Sequence, residues 1–495
     1  MFFECTGGEY TLQNEMGLQQ VIYELIETLI KFGVHRYGDP LPTIKDASSY
    51  FLASADTVRL VYVRLKHEGY IYLSTGVGAT VKVQYSDDEI RQHIKSYFSL
   101  RKSTLLAFAR SAHPLFGYAQ WMAWKNISVE TLDELERICL NQDICPPYRM
   151  SRQLMLIYGK MGNELFIRLI WQMFTFFQGP FLSVFQNILY FKTGNDPLLN
   201  MINLCRDKNW TMLQQAFDDY EKQRLDALYQ FFDDYEIPDN DKEEQVDFDW
   251  NIYKKTSQIC YSLCLELLIE IRQGRYTAGS CLPSLSKLAS EKEVGLTTVR
   301  RTISLLNHLG AVQSVNGVGT KVLLRQDSAE NCDFTNVTIR KRLLDFLHSL
   351  HILSLSCRAC AQCTIESMTQ DMICDWLKKM EGIKRSGFYL DLLYCCYEQI
   401  SLNAPYSAIQ SVYGALSKQF FWGFPLQNLH GDQVAANAYY LPYLENLQNY
   451  LRCADSAGFA KELERMQIAE TELVAKYLVS LNIHEASVLF IPEAD

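Results

Sequence analysis

Gly38-Asp39-Pro40-Leu41-Pro42-Thr43, followed by Thr57-Val58-Arg59, Glu68-Gly69 and Gly76-Val77-Gly78, decides how this chain is read, because the chain writes the pattern twice. The second copy is Gly279-Ser280-Cys281-Leu282-Pro283-Ser284, then Thr298-Val299-Arg300, Leu309-Gly310 and Gly317-Val318-Gly319. Gly38 and Gly279, Leu41 and Leu282, Thr57 and Thr298, and Gly76 and Gly317 are each 241 residues apart. A constant spacing over four landmarks is the signature of an internal duplication.

Each copy reads as three helices and a β-hairpin. In the first, Val21, Leu25, Ile26, Leu29 and Ile30 share one face of a helix over about Leu18 to Phe32, stopped by Gly33. Thr43 is placed to cap a second helix, Ile44 to Leu52, and Ser54 a third, Ala55 to Glu68. Tyr70 to Leu73 and Ala79 to Val83 read as strands around Gly76-Val77-Gly78. The second copy repeats this with helices over Thr256–Gln273, Leu285–Glu291 and Leu296–Leu309, and strands Ala311–Val315 and Thr320–Leu324.

Helical patterns of about 150 to 170 residues follow each copy. They cover Asp88–Arg110, Ser128–Leu140, Ser151–Phe177, Phe181–Phe191 and Trp210–Tyr235 in the first half. In the second they cover Val337–Cys363, Ile365–Lys379, Phe388–Ile400, Tyr406–Phe420, Gln433–Ala454 and Ala460–Leu481. The fold class is therefore mostly α: two winged helix-turn-helix domains, each followed by a helical bundle. The expected division is 1–86 and 87–235, an acidic linker over 236–249, then 250–326 and 327–495.

Composition fits this reading. Hydrophobic residues make up 48% and aromatics 13% of 495 residues, so the chain can bury several cores. Met1 to Tyr10 holds two acidic residues and no basic one, which argues against a signal peptide. Fifteen cysteines without such a signal suit a reducing cytoplasm. The most apolar stretch, Leu165 to Phe191, is interrupted by Arg168, Gln172, Gln178, Gly179-Pro180 and Gln186. It reads as buried helices joined by a Gly-Pro turn, not as a membrane span.

The net charge of −10 is unevenly spread. Residues 216–249 hold 13 acidic and 3 basic side chains; residues 250–325 hold 10 basic and 4 acidic; residues 11–85 hold 7 of each. Phosphate attraction is local, so the second head is expected to bind DNA better than the first.

The two heads resemble the N-terminal domains of GntR-family bacterial transcription regulators, through the Gly-Asp-x-Leu-Pro-Ser start, the Thr-Val-Arg helix, the Leu-x-x-x-Gly end and the Gly-x-Gly wing. The resemblance covers about 70 residues per copy. It implies a third helix in the major groove, a second helix crossing phosphate and a wing on the flanking backbone. By position it places Thr43, Lys45, Ser54, Thr57 and Arg59 at the DNA face of the first head, and Ser284, Ser286, Thr297, Thr298, Arg300 and Arg301 at that of the second. The pattern is also departed from: basic residues common in the family are replaced by Ala55, Leu296, Ser286, Val77 and Val318, and Asp56 would repel phosphate.

The helical regions resemble the effector domains of the family's all-helical branch, around Tyr158–Asn163 and Ser401–Pro405. That branch often binds a metal through a His; Leu154 and Tyr394 stand near the expected positions, so no metal site is carried over and no cofactor is expected. Cys357, Cys360 and Cys363 read as small apolar residues of a buried helix, not as an iron–sulfur site. His348 and His351 lack a third ligand in register. No nucleophile, phosphate loop or acid/base pair points to an enzyme.

The expected function is a cytoplasmic, sequence-specific transcription regulator of double-stranded DNA, a repressor in keeping with the family, that responds to a small-molecule effector. One chain could act as an intrachain pseudo-dimer, or two chains as a homodimer. The alternative is a non-enzymatic interaction protein whose heads are degenerate and whose helical halves bind a partner.

Overall fold

The computed structural model describes residues 8–74, 78–184, 187, 196–238, 245–250, 252, 258–324, 327–489 and 491–492, with side chains of the first helix from Gly17 onward. The first wing tip at Gly76-Val77, the end of the expected Phe181–Phe191 helix, most of the acidic stretch 239–244, and the expected helix start at Thr256 lie outside these residues. Among the described residues the chain folds mainly as helices, with two separate two-stranded antiparallel sheets. It divides into two compact units, residues 1–113 with 119–248, and residues 114–118 with 249–495.

In the first unit the head is built from helices Gly8–Lys31, Ile44–Phe51 and Ala55–His67 and strands Ile71–Ser74 and Gly78–Val81. The first helix begins earlier than its apolar periodicity, which starts only near Leu18. Ile22, Ile26 and Leu29 from this helix, Ala47 and Phe51 from the second, and Val58, Val61 and Leu65 from the third are all buried. Those positions are three or four residues apart within each helix, so each helix turns one apolar face inward. Thr43 caps the second helix by accepting from the Asp46 N–H at 3.2 Å, and Ser54 caps the third by accepting from the Thr57 N–H at 3.1 Å.

The second head has helices Ile259–Arg272, Leu285–Glu291 and Leu296–His308 and strands Val312–Val315 and Gly319–Val322. The duplication extends to the backbone itself. Left-handed residues recur 241 apart at Gly33 and Gly274, Gly38 and Gly279, Leu52 and Glu293, Gly69 and Gly310, and Gly78 and Gly319. Leu52 and Glu293 carry side chains in this region, which L-residues rarely adopt. Their recurrence means that the turn between the second and third helices is held by the surrounding head, whatever the side chain. Each wing gains a third, one-residue bridge from the preceding loop, Pro40 to Thr80 and Cys281 to Lys321. Leu41 N–H donates to the Ala79 carbonyl at 2.9 Å and Leu282 N–H to the Thr320 carbonyl at 2.8 Å.

One pair of positions has diverged in kind. Leu29 and Phe51 are buried in the first head; 241 residues on stand Glu270 and Lys292, which form an ion pair at 2.8 Å with about a tenth of each side chain exposed. Burial alone would lower the Lys292 ammonium, but the hydrogen bonds it donates to Glu266 and Glu270, with their charges, outweigh this and raise it. Phe51 instead packs against Tyr148 and Trp171 of the following helical region, with ring centroids 5.8 and 6.2 Å away. The second helix of the first head is further tied there by Ser151, which donates to the Tyr50 carbonyl at 3.1 Å, and by Tyr50 stacked on Tyr148.

The helical region of the first unit contains Asp87–Ser99, Lys102–Lys125 apart from residues 114–118, Val129–Leu140, Pro146–Tyr158, Glu164–Met173, Pro197–Arg206 and Trp210–Asp234. Trp124, Leu132, Leu135, Ile202, Leu213 and Phe217 form one of its cores. The single helix expected over Asp88–Arg110 is two. It breaks at Leu100-Arg101, where the Val246 N–H donates to the Leu100 carbonyl at 2.7 Å and Gln245 to the Ser99 carbonyl at 2.9 Å. Residues 245–248, placed by sequence in a linker, thus dock on this unit, and Phe248 is buried beside Phe108 at 5.0 Å.

The expected Gly-Pro turn is also corrected. Glu164–Met173 passes through a π-helical turn, Phe174–Gln178, directly into helix Gly179–Leu182, and Gly179 has helical dihedrals of −59° and −55°. Pro180 falls in the first turn of the new segment, where its missing N–H costs little. A Cβ on Gly179 would lie 3.0 Å from Leu25 Cδ1, so glycine permits close packing there.

In the second unit, Val337–Ser367 packs along Ser456–Ser480, with Gln370–Ser386, Leu392–Asn403, Ser407–Gln419 and Gln433–Arg452 around them. Tyr397, Gln467 and the Leu350 carbonyl form a buried hydrogen-bonded chain on this seam. Tyr397 donates to Gln467 Oε1 at 2.7 Å, and Gln467 Nε2 donates to the Leu350 carbonyl at 2.8 Å. Cys357 and Cys360 are buried on the central helix, and burial pushes both thiols up. His348 and His351 are buried there too. Among the described residues, no three His, Cys, Asp or Glu side chains are placed to hold a metal, and no helix is long and apolar enough to cross a membrane.

Candidate DNA interface

The third helix of each head turns one face into its core and leaves the other in solvent. At about 100° per residue, the outward arc of Ala55–His67 is centred on Asp56, Arg59, Leu60 and Val63, all exposed. The same arc of Leu296–His308 carries Thr297, Arg300, Arg301 and Ser304, also exposed.

The first head neutralises this face internally. Arg59 forms an ion pair with Asp56 one turn earlier. Thr43 donates its hydroxyl to Asp46 Oδ2 at 2.7 Å, which leaves it no proton for a phosphate. Ser54 is exposed, but its hydroxyl lies 3.0 Å from that of Thr57. Thr57 is only 2% exposed. It stands on the inner edge of the helix, so its side chain belongs to the head and not to the outward face. Lys45 is exposed and has no ion pair among the described residues.

The second head does the reverse. Arg300 and Arg301 have no carboxylate partner among the described residues. Ser284 accepts from the Lys287 N–H at 3.3 Å as a cap and keeps its O–H to donate outward. Ser286 and Thr297 are exposed, and Thr298 is half-buried. The helix starts at Gly295 without a side-chain cap, so its first N–H groups are open to an anion. Asn307 joins helix to wing: its Nδ2 donates to Ser314 Oγ at 3.0 Å, and its Oδ1 accepts from the Ser314 N–H at 2.9 Å.

The family pattern described as bacterial regulatory proteins of the gntR family matches residues 18–81 and 263–322. Both heads are GntR-type domains. Solved structures similar to the chain include Streptococcus agalactiae GntR (16% identity, 43% of this chain, 99% of that chain, TM-score 0.20). Lar, described as controlling the expression of the Listeria monocytogenes agr system, gives 15%, 46%, 99% and 0.22. A GntR-family transcriptional regulator from Pseudomonas syringae pv. tomato gives 14%, 47%, 98% and 0.20. No curated protein matches the chain.

The GntR-type heads also show what sequence reading missed. Lys287 is exposed on the second helix of the second head, 241 residues after Asp46. Its only ion-pair contact among the described residues is Glu291 at 3.8 Å. Leu60 and Val63, 55% and 50% exposed, stand where the second head has Arg301 and Ser304. Comparing the copies position by position, beyond their shared landmarks, is the signal that finds all three.

Proposed function

We propose that the chain is a sequence-specific DNA-binding transcription regulator in which two covalently joined winged helices read operator half-sites. The observation that carries this reading is the outward face of Leu296–His308: two arginines without carboxylate partners and two hydroxyl side chains on one exposed arc. An arginine there can bond bidentately to guanine, and Lys287, Ser284, Ser286 and Thr298 can set register on phosphate. In the first head the corresponding set is Lys45, Ser54 and Arg59. Residues 1–86 and 250–326 serve as heads, and 87–235 and 327–495 as effector or dimerisation regions.

Ligand response is part of the same proposal. A cavity of about 440 Å³ opens within the first unit where the end of the head's first helix meets the helical region. Phe32, Ile90 and Ile94 give it apolar walls, and Arg36, Arg91 and Tyr235 polar ones. Arg36 is held by Asp87 at 2.9 Å, so an occupant would bear directly on the joint of the first head. A ligand that prefers one placement of that head shifts DNA affinity by its differential binding. Sequence-dependent, salt-sensitive binding of the full chain to duplex DNA tests the proposal.

A further inference from the structure

We infer that the first head reads a thymine-containing half-site through Leu60 and Val63, chemically distinct from the guanine-reading half-site of the second head. This rests on the DNA-reading function proposed above. Two exposed aliphatic side chains on one helix would mean little alone. Here they occupy the outward arc of the third helix, the arc that in the second head carries Arg301 and Ser304.

The charges around the arc fit nucleic acid. Lys45 on the second helix, Lys66 near the end of the third and Lys82 beyond the wing are exposed, and none has an ion pair among the described residues. Lys82 rests over the ring of exposed Tyr72 at 5.4 Å. The surface therefore sets an exposed aliphatic pair, Leu60 and Val63, beside the Arg59–Asp56 ion pair, with lysines at its margin. Lysines at the margin suit phosphates, and aliphatic groups at the centre suit the 5-methyl of thymine, the one apolar feature of the major groove. Arg59 is paired with Asp56, so its guanidinium is offered to guanine only when that ion pair breaks.

The experiment begins with selection of sites from random duplex by the full chain, followed by replacement of each selected thymine by deoxyuridine, which removes only the methyl. The expected site is bipartite. One half loses its guanine preference in Arg300→Ala; the other is thymine-dependent, weakening about fourfold for each contacted methyl removed. In the exposed, fold-neutral double variant Leu60→Ala with Val63→Ala, deoxyuridine has no further effect. In Leu60→Arg with Val63→Ser, which copies the second head, the thymine preference disappears while binding persists. The inference is overturned if deoxyuridine is tolerated at every position, or if its effect is unchanged in both variants. It is equally overturned if the variants alter the oligomeric mass and leave DNA binding intact, which would make the face a protein interface. Failure of the wild-type chain to select any site overturns the DNA-reading proposal itself.

Discussion

Arg59 and Asp56 form an ion pair one turn apart on the outward face of the first head, and their counterparts Arg300 and Thr297 form none. The duplicated heads therefore present the same arginine in two electrostatic states. One guanidinium is already engaged by a carboxylate and the other is open to a ligand.

Arg300→Ala is expected to weaken DNA binding by about 1–3 kcal/mol and to relax sequence preference at its base pair. Arg59→Ala should cost less, because removing it removes an internal pair as well. Titration of both variants on one selected duplex decides it; a larger loss at Arg59 contradicts the assignment.

Asp56→Asn should tighten DNA binding at low salt. It removes a carboxylate from the outward face and frees Arg59, and the gain should shrink as salt rises. Binding isotherms at two ionic strengths measure it.

The diverged core pair gives a folding prediction. Lys292→Phe or Glu270→Leu alone strands a largely buried charge, although Glu266 and Arg275 compensate in part. The double variant recreates the Leu29 and Phe51 combination. It is expected to be less destabilising than the sum of the singles by at least about 1 kcal/mol, read from denaturant midpoints. Phe51→Ala, by contrast, should cost about 3–5 kcal/mol, since it empties a site packed by Tyr148 and Trp171.

A pH dependence should arise at the joint of the first head. His35 lies 3.0 Å from the Tyr148 hydroxyl, and burial pushes its imidazole down to about 4, against a small opposing pull from Asp39. The unfolded chain takes up the proton near pH 6.5, and the folded chain only near 4. Stability is therefore unaffected above about pH 6.5, falls as pH drops towards 4, and levels off below, by at most roughly 3 kcal/mol. Denaturation of wild type and His35→Gln at about pH 7.5 and about pH 4.5 isolates this share; an equal loss in both contradicts it.

Much of the heads was legible because their determinants are local. Thr43 and Ser54 announce helix starts and Gly33 and Gly69 the ends, and the constant 241-residue spacing repeats three of the four signals, Gly295 standing in place of Ser54. The helical regions were legible as helices but not in their joints. Nothing near Leu100 or Gly179 in sequence shows that Gln245 and Val246 would take up the carbonyls of one break, or that a π turn would carry the chain through Gly179-Pro180. At the interface, the family resemblance placed Thr57 by position; its place on the inner edge of the helix depends on how the head packs. The roles of Leu60, Val63 and Lys287 emerge only from comparing exposed faces.

The most direct test of the central claim is fluorescence anisotropy of the full chain on duplex DNA from upstream of its own gene and on a scrambled duplex, from about 50 to 200 mM salt. The expected result is preference for the upstream DNA, an affinity that falls steeply with salt, and loss of the preference in Arg300→Ala. Equal, weak binding to both duplexes, or none, would contradict it and leave the GntR-type heads as scaffolds for protein partners.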